Sequence, residues 1–103
     1  MATKKMYGIE SLIKRFGPPT MAMFLSSWRE CDEISLTAFA KMLGISRANL
    51  CDIEKKRKLV SPERAARFAK KLGVAEEFLV QLALEDLLRQ AKLNFRVEVR
   101  RVS

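Results

Sequence analysis

Residues 34–58 read ISLTAFAKMLGISRANLCDIEKKRK, and this stretch leaves the chain little freedom in how it folds. Ser35 and Ser46 each precede apolar residues at helical spacing, and a serine in that position caps the free amides of a helix start. Gly44 stands between them, where a left-handed residue stops one helix before the next begins. The stretch therefore predicts a Ser35-capped helix ending near Leu43 and a Ser46-capped helix ending near Lys55, hinged at Gly44. The second helix turns Leu50 and Ile53 inward and runs straight into Lys55, Lys56, Arg57 and Lys58.

The flanks continue the helical pattern. Thr20 can cap a helix to about Asp32, with Phe24, Leu25, Trp28 and Cys31 on one stripe. Ser61 followed by Pro62 is a start signal for a helix that buries Ala65, Phe68, Ala69 and Leu72 and stops at Gly73. A last helix is expected over 75–91. Its apolar positions cover roughly two thirds of the circumference at ~100° per residue, more than one small domain needs. Ile9, Leu12, Ile13 and Phe16 predict a short helix over 8–16, ended by Gly17, Pro18 and Pro19. Phe95, Val97 and Val99 alternate with Arg96, Glu98 and Arg100, so residues 94–100 read as a half-buried strand that pairs across a dimer or with another protein's sheet, or otherwise as a frayed tail. The expectation is an all-α domain of five to six helices with a short C-terminal strand. It divides into an N-terminal extension (1–19), a helical domain (20–92) and a C-terminal strand or tail (93–103).

Charge narrows the function. The chain carries 20 Lys/Arg against 12 Asp/Glu, a net charge of +8. Residues 47–71 hold nine of those bases and three acids, net +6, beginning where the second helix of the pair begins. A concentrated positive field suits the neutralisation of nucleic-acid phosphates. The absence of histidine removes the commonest general base and zinc ligand. Without a glycine-rich phosphate loop, metal-ligand spacing or nucleophile–base pair, neither an enzyme nor a cofactor is expected. Cys31 and Cys51 have no disulfide framework, no stretch is long enough to span a membrane, and residues 1–10 lack an apolar signal core. A cytoplasmic protein is expected.

Over residues 21–82 the chain resembles the Cro/repressor-like helix-turn-helix (XRE) family. The resemblance is carried by ISLTAFAKMLGISRANLCDIE and by SPERAARFAKKLGV after the basic loop, with Ala40, Gly44, Ile45, Ser46, Leu50, Ile53 and Glu54 at the motif's small, turn, core and acidic positions. It implies double-stranded DNA as partner, read in the major groove by the second motif helix. The positions carried over for base edges are Arg47, Ala48 and Asp52, with Asn49 beside them. Arg47 suits guanine, Ala48 a thymine methyl, and Asp52 either accepts from cytosine or repels phosphate. Ser35 and Ser46, at helix N-termini, suit phosphates as well as caps, and Lys55, Lys56, Arg57 and Lys58 suit the DNA backbone. The family pairs the acid at Glu54 with an arginine on the first helix, here Arg29. The chain departs from the family pattern with Leu36 in place of a phosphate-binding Gln, Lys56 in place of Gly, and Phe39 in place of Leu.

The resemblance and the residues together imply a dimeric transcriptional regulator of a palindromic operator. SPERAARFAKKLGV and the following helix resemble antitoxins that repress their own operon and hold a small toxin, here through the C-terminal strand or the 8–16 helix. A phage-type or stand-alone repressor is the other role within this class. An adaptor that kept the helix-turn-helix shell without binding DNA is the alternative outside it.

Overall fold

The structure, a computed structural model, describes residues 20–102. The 8–16 helix expected from sequence lies outside them. The described residues form five α-helices: α1 (Met21–Cys31), α2 (Leu36–Leu43), α3 (Arg47–Glu54), α4 (Pro62–Leu72) and α5 (Glu76–Gln90). The chain divides after Lys58 into two compact units, α1–α3 and α4–α5 with the C-terminal segment.

In the first unit α3 packs on both α1 and α2. Phe24 and Leu25 from α1, Phe39, Ala40 and Leu43 from α2, and Leu50 and Ile53 from α3 are buried. Phe39, the bulkier departure from the family pattern, is fully enclosed. The α1 stripe is shorter than expected: Trp28 is half-buried, its ring 5.7 Å from that of Phe24, and Cys31 is exposed. In the second unit α4 packs along α5, burying Ala65, Phe68 and Ala69 with Leu79, Leu82 and Ala83. Leu72 is only half-buried.

Caps define the helix starts. The hydroxyls of Thr20, Ser35, Ser46 and Ser61 accept from the amides of Met23, Ala38, Asn49 and Arg64 at 3.0–3.1 Å. α5 starts at Ala75 with no side-chain cap, but Glu76 and Glu77 place negative charge in its first turn, which favours the positive end of the helix. Every helix ends in a left-handed residue that directs the next amide back to a carbonyl of the last turn. Gly44 and Gly73 do this at φ 76° and 74°, but Glu33, Lys56 and Lys92 adopt the same conformation at 53°, 63° and 61°. The Ile45 and Arg57 amides, for example, reach the Ala40 and Asp52 carbonyls at 3.0 and 2.8 Å. A side chain in this region costs roughly 1–2 kcal/mol.

The C-terminal strand is not formed: the described residues contain no strand. A strand exists only as a pairing of backbones, and none of the described residues supplies a second one. The alternation survives in burial, with Val97 and Val99 half-buried and Arg96, Glu98 and Arg100 exposed, while Phe95 is 67% exposed. The segment is tied to α5 at two points. The Val97 amide donates to Glu85 Oε2 at 2.9 Å, and the Arg101 guanidinium donates to Glu76 Oε1 at 2.5 Å. From residue 85 back to 76 a helix rises about 13.5 Å at ~1.5 Å per residue. From 97 to 101 an extended chain covers about 13.6 Å at ~3.4 Å per residue. The two lengths fit a stretched segment running back along α5. Part of the excess apolar surface of that helix is therefore met by the chain itself, while Leu87 and Leu93 stay 41% and 43% exposed.

Candidate nucleic-acid interface

α3 begins at Ser46, whose hydroxyl caps the Asn49 amide and keeps its own proton free to donate. Arg47 and Ala48, in the first turn, are exposed, and Asn49 is half-buried. Leu50 and Ile53 face the core, so the solvent side of the helix carries Arg47, Ala48, Cys51, Asp52 and Lys55. Ser35 caps α2 and is also exposed.

The opposite end of α3 is fixed by an ion pair. Arg29 meets Glu54 through two parallel bonds of 3.0 Å, Nε to Oε2 and Nη2 to Oε1, and its Nη1 reaches the Ile34 carbonyl at 3.4 Å. The two side chains are 22% and 9% exposed. The hydrogen bonds that Arg29 donates to Glu54, and then the Glu54 charge, hold the Arg29 guanidinium above its ordinary value despite some desolvation. Fork-to-carboxylate geometry of this kind is the stronger sort of hydrogen bond. Glu54 thus ties α3 to α1, as the family resemblance implies, and is withheld from solvent chemistry.

The turn after α3 is organised by Asp52. Its backbone carbonyl accepts from the amides of Arg57 (2.8 Å) and Lys58 (3.3 Å). Its carboxylate takes Arg57 Nε at 2.9 Å and lies 4.0 Å from Lys58 Nζ. Lys58 Nζ also donates to Asn49 Oδ1 at 2.7 Å, and Arg57 Nη2 approaches Cys51 Sγ at 4.0 Å. The Asp52 hydrogen bond raises the Arg57 pKa, so that cation is charged at every relevant pH. Lys56 supplies the left-handed step that brings Arg57 and Lys58 back over the helix. Where the family pattern has glycine, Lys56 itself takes the left-handed conformation, as a strained lysine.

Two classes of cation result. Arg57 and Lys58 are engaged with Asp52 and Asn49, whereas Arg47, Lys55 and Lys56 form no side-chain hydrogen bond or ion pair with described residues and project into solvent. Across 47–58 five bases face two acids, and one of those acids is turned to Arg29. A hollow of about 320 Å³ adjoins this surface, bordered by Arg29, Leu36, Arg47, Cys51 and Lys55 among others. Leu36, at the family's glutamine position, contributes an apolar wall there in place of a hydrogen bond.

A family model described as Helix-turn-helix matches residues 28–79, half of the chain. The chain belongs to the Cro/repressor-like helix-turn-helix family. No curated protein and no solved structure gives a significant match. As a helix-turn-helix protein it is a DNA-binding transcription regulator. Its motif is α2, the Gly44 turn and α3, with α3 in the place of the reading helix.

The residues of this helix-turn-helix protein assigned to DNA from sequence lie mostly along α3 and its turn, but the sequence did not show how they engage one another. Arg57 lies five residues beyond Asp52 and Lys58 nine beyond Asn49, spacings that no helix face brings together. Only the left-handed step at Lys56 closes them, and the lysine in the family's glycine position was the sole sequence signal. Among the described residues no group of three or more His, Cys, Asp or Glu is placed to hold a metal ion, and no helix is long and apolar enough to cross a membrane.

Proposed function

We propose that the protein is a cytoplasmic, sequence-specific repressor that binds a palindromic operator as a homodimer. In its cellular role it is an antitoxin that represses its own operon and holds a small toxin. Base reading falls to Arg47 and Asn49, with Ala48 making room or meeting a thymine methyl. Ser35, Ser46, Lys55 and Lys56 contact phosphates, joined by Arg57 and Lys58 from the turn. Asp52 takes the part of a positioning residue, because its carboxylate is already occupied by the loop cations.

The observation that carries this reading is the exposed set Arg47, Lys55 and Lys56, unpaired among the described residues, at the start of α3 and in the turn after it, the helix itself being anchored by Leu50, Ile53 and Glu54. The antitoxin role is supported by the resemblance of SPERAARFAKKLGV and by a C-terminal segment that carries apolar side chains outside the motif.

The test is fluorescence-anisotropy binding to the DNA upstream of its own gene, beside a shuffled duplex, across a salt series. The expected result is a preference of at least ~10³ for its own upstream DNA. Failure to bind either duplex at low salt would reject the regulator and favour an adaptor. Arg47→Ala should remove about 1–3 kcal/mol of sequence discrimination while leaving weak, salt-sensitive binding. Equal loss on both duplexes would take base reading away from Arg47.

A further inference from the structure

We propose that the 94–100 segment pairs antiparallel with the same segment of a second copy, centred on Val97. The proposal deepens the homodimeric reading above and rests on it.

The unformed strand already has one edge assigned. In an extended chain, backbone N–H and C=O groups of alternate residues point to opposite edges. The Val97 amide points to Glu85, a carboxylate only 7% exposed, so the edge carrying Val97 faces the chain's own helix. The groups of Arg96, Glu98 and Arg100 then occupy the other edge. Among the described residues none of their backbone groups has a hydrogen-bond partner. A row of this kind is a template for another strand.

The occupied Val97 amide also restricts the pairing. If Val97 meets Val97 of the second copy, that pair must be of the non-hydrogen-bonded kind. Arg96 and Glu98 of the second copy then form the hydrogen-bonded pair beside it, exchanging both bonds. The same alignment sets Arg96 across from Glu98 in both directions. It also sets Phe95 across from Val99, covering an aromatic ring that is 67% exposed in the single chain. Opposite charges and aromatic–β-branched pairs facing each other favour a register. Glu98 is held in place by Arg100 of its own chain at 2.5 Å, and the second copy's Arg96 arrives from the opposite side.

The neighbouring alignments fail on the same grounds. Centring on Glu98 sets Glu98 against Glu98 and Arg96 against Arg100, like charges in every polar pair. Centring on Val99 keeps an Arg–Glu pair, Glu98 across from Arg100, but sets Val97 across from Arg101 and carries Phe95 beyond the apolar residues of the second strand. The sequence RVEVR thus complements itself, Arg against Glu and Val against Val, and Phe95 selects the Val97-centred register, which identifies a second copy as the occupant.

The test begins with sedimentation equilibrium of the full chain, followed by oxidation of single-cysteine variants in which Cys31 and Cys51 are serine. In a non-hydrogen-bonded pair the facing Cα atoms lie about 4.5 Å apart, within disulfide reach. Val97→Cys should cross-link almost fully and Glu98→Cys hardly at all. Cross-linking of Glu98→Cys as well as or better than Val97→Cys would overturn the register. Charge reversal gives an independent reading with no oxidation: Arg96→Glu and Glu98→Arg should each weaken self-association several-fold, and mixing the two variants should restore it in a heterodimer. A tighter Arg96→Glu dimer would favour the Glu98-centred alignment, and no change in either measure would remove the segment from the interface. A wild-type chain that sediments as a monomer overturns the dimer itself, whereas a dimer indifferent to these changes overturns the strand pairing alone. Pairing of the segment only with another protein's sheet would appear as that monomer.

Discussion

α3 with its turn and α5 with its C-terminal segment are built to the same plan and put it to different use. Each helix ends in a lysine held in the left-handed region, Lys56 or Lys92, and each is followed by residues that a helix carboxylate holds. Asp52 holds Arg57 and Lys58, while Glu85 and Glu76 hold Val97 and Arg101. After α3 the returning residues are cations, and three further bases stay free, so the product is a positive surface. After α5 five bases balance five acids over 76–102, and the returning segment presents apolar side chains and a backbone edge. A helix and a folded-back segment are therefore only a frame. The side chains of the returning residues decide whether the frame meets phosphate or another strand.

The largest effect expected from breaking this comparison is on the α3 side, at the anchor beneath it. Arg29→Ala leaves Glu54 half-buried without its fork and should destabilise the first unit by about 2 kcal/mol, read as a lower midpoint in urea. A midpoint within error of the wild type would show that apolar packing alone fixes α3.

Asp52→Ala comes next and separates charge from position. It adds a unit of positive charge, so simple attraction predicts tighter DNA binding throughout. If Asp52 positions Arg57 and Lys58, affinity for the preferred duplex falls several-fold while random-sequence affinity rises. Asp52→Glu should recover part of the loss. Uniformly tighter binding would return Asp52 to the status of a bystander.

Lys56→Gly and Lys92→Gly set the two turns side by side. Each relieves a left-handed side chain and should stabilise its helix end by about 1 kcal/mol. Only Lys56→Gly should lower the salt dependence of DNA binding, by a slope of roughly 0.9. Equal salt slopes for both variants would mean that Lys56 contacts no phosphate.

The smallest effect concerns acid. The Arg101 hydrogen bond, opposed by slight desolvation and aided by the Lys70 charge, holds the Glu76 carboxyl below the usual glutamate range. A depressed carboxyl contributes its stability above the unfolded value, and that contribution is lost as pH falls through the lower folded value. The end of the C-terminal segment should therefore loosen below about pH 4 and hold unchanged between pH 6 and 8. Backbone relaxation at residues 99–102 reads this directly, and loosening already at pH 6 would show that Arg101 is not the tie.

The five helices were legible because their signals are local. Serine or threonine caps, Pro62 at a first turn, Gly44 and Gly73 past the ends, and apolar spacing each act within a few residues. The Arg29–Glu54 tie was legible through family resemblance, since nothing in a separation of 25 residues announces it. The strand expected over 94–100 is not formed in the single chain, because alternation reports which side chains share a face while a strand also needs a partner backbone that the described residues do not supply. Leu72 and Cys31 were assigned to the core on periodicity, which gives a direction around a helix but not the extent of the surface packed against it.

The sequence by itself determined where the helices begin and end, that two of them form a helix-turn-helix, and that the excess charge gathers at the second. Tertiary structure decided which cations are free, that Asp52 faces Arg57 and Lys58, and that the C-terminal segment lies along α5 with Val97 turned to Glu85. Caps and periodicity act over one or two turns, whereas these contacts depend on a left-handed step at Lys56 or Lys92, at which a single pair of backbone angles redirects every residue that follows.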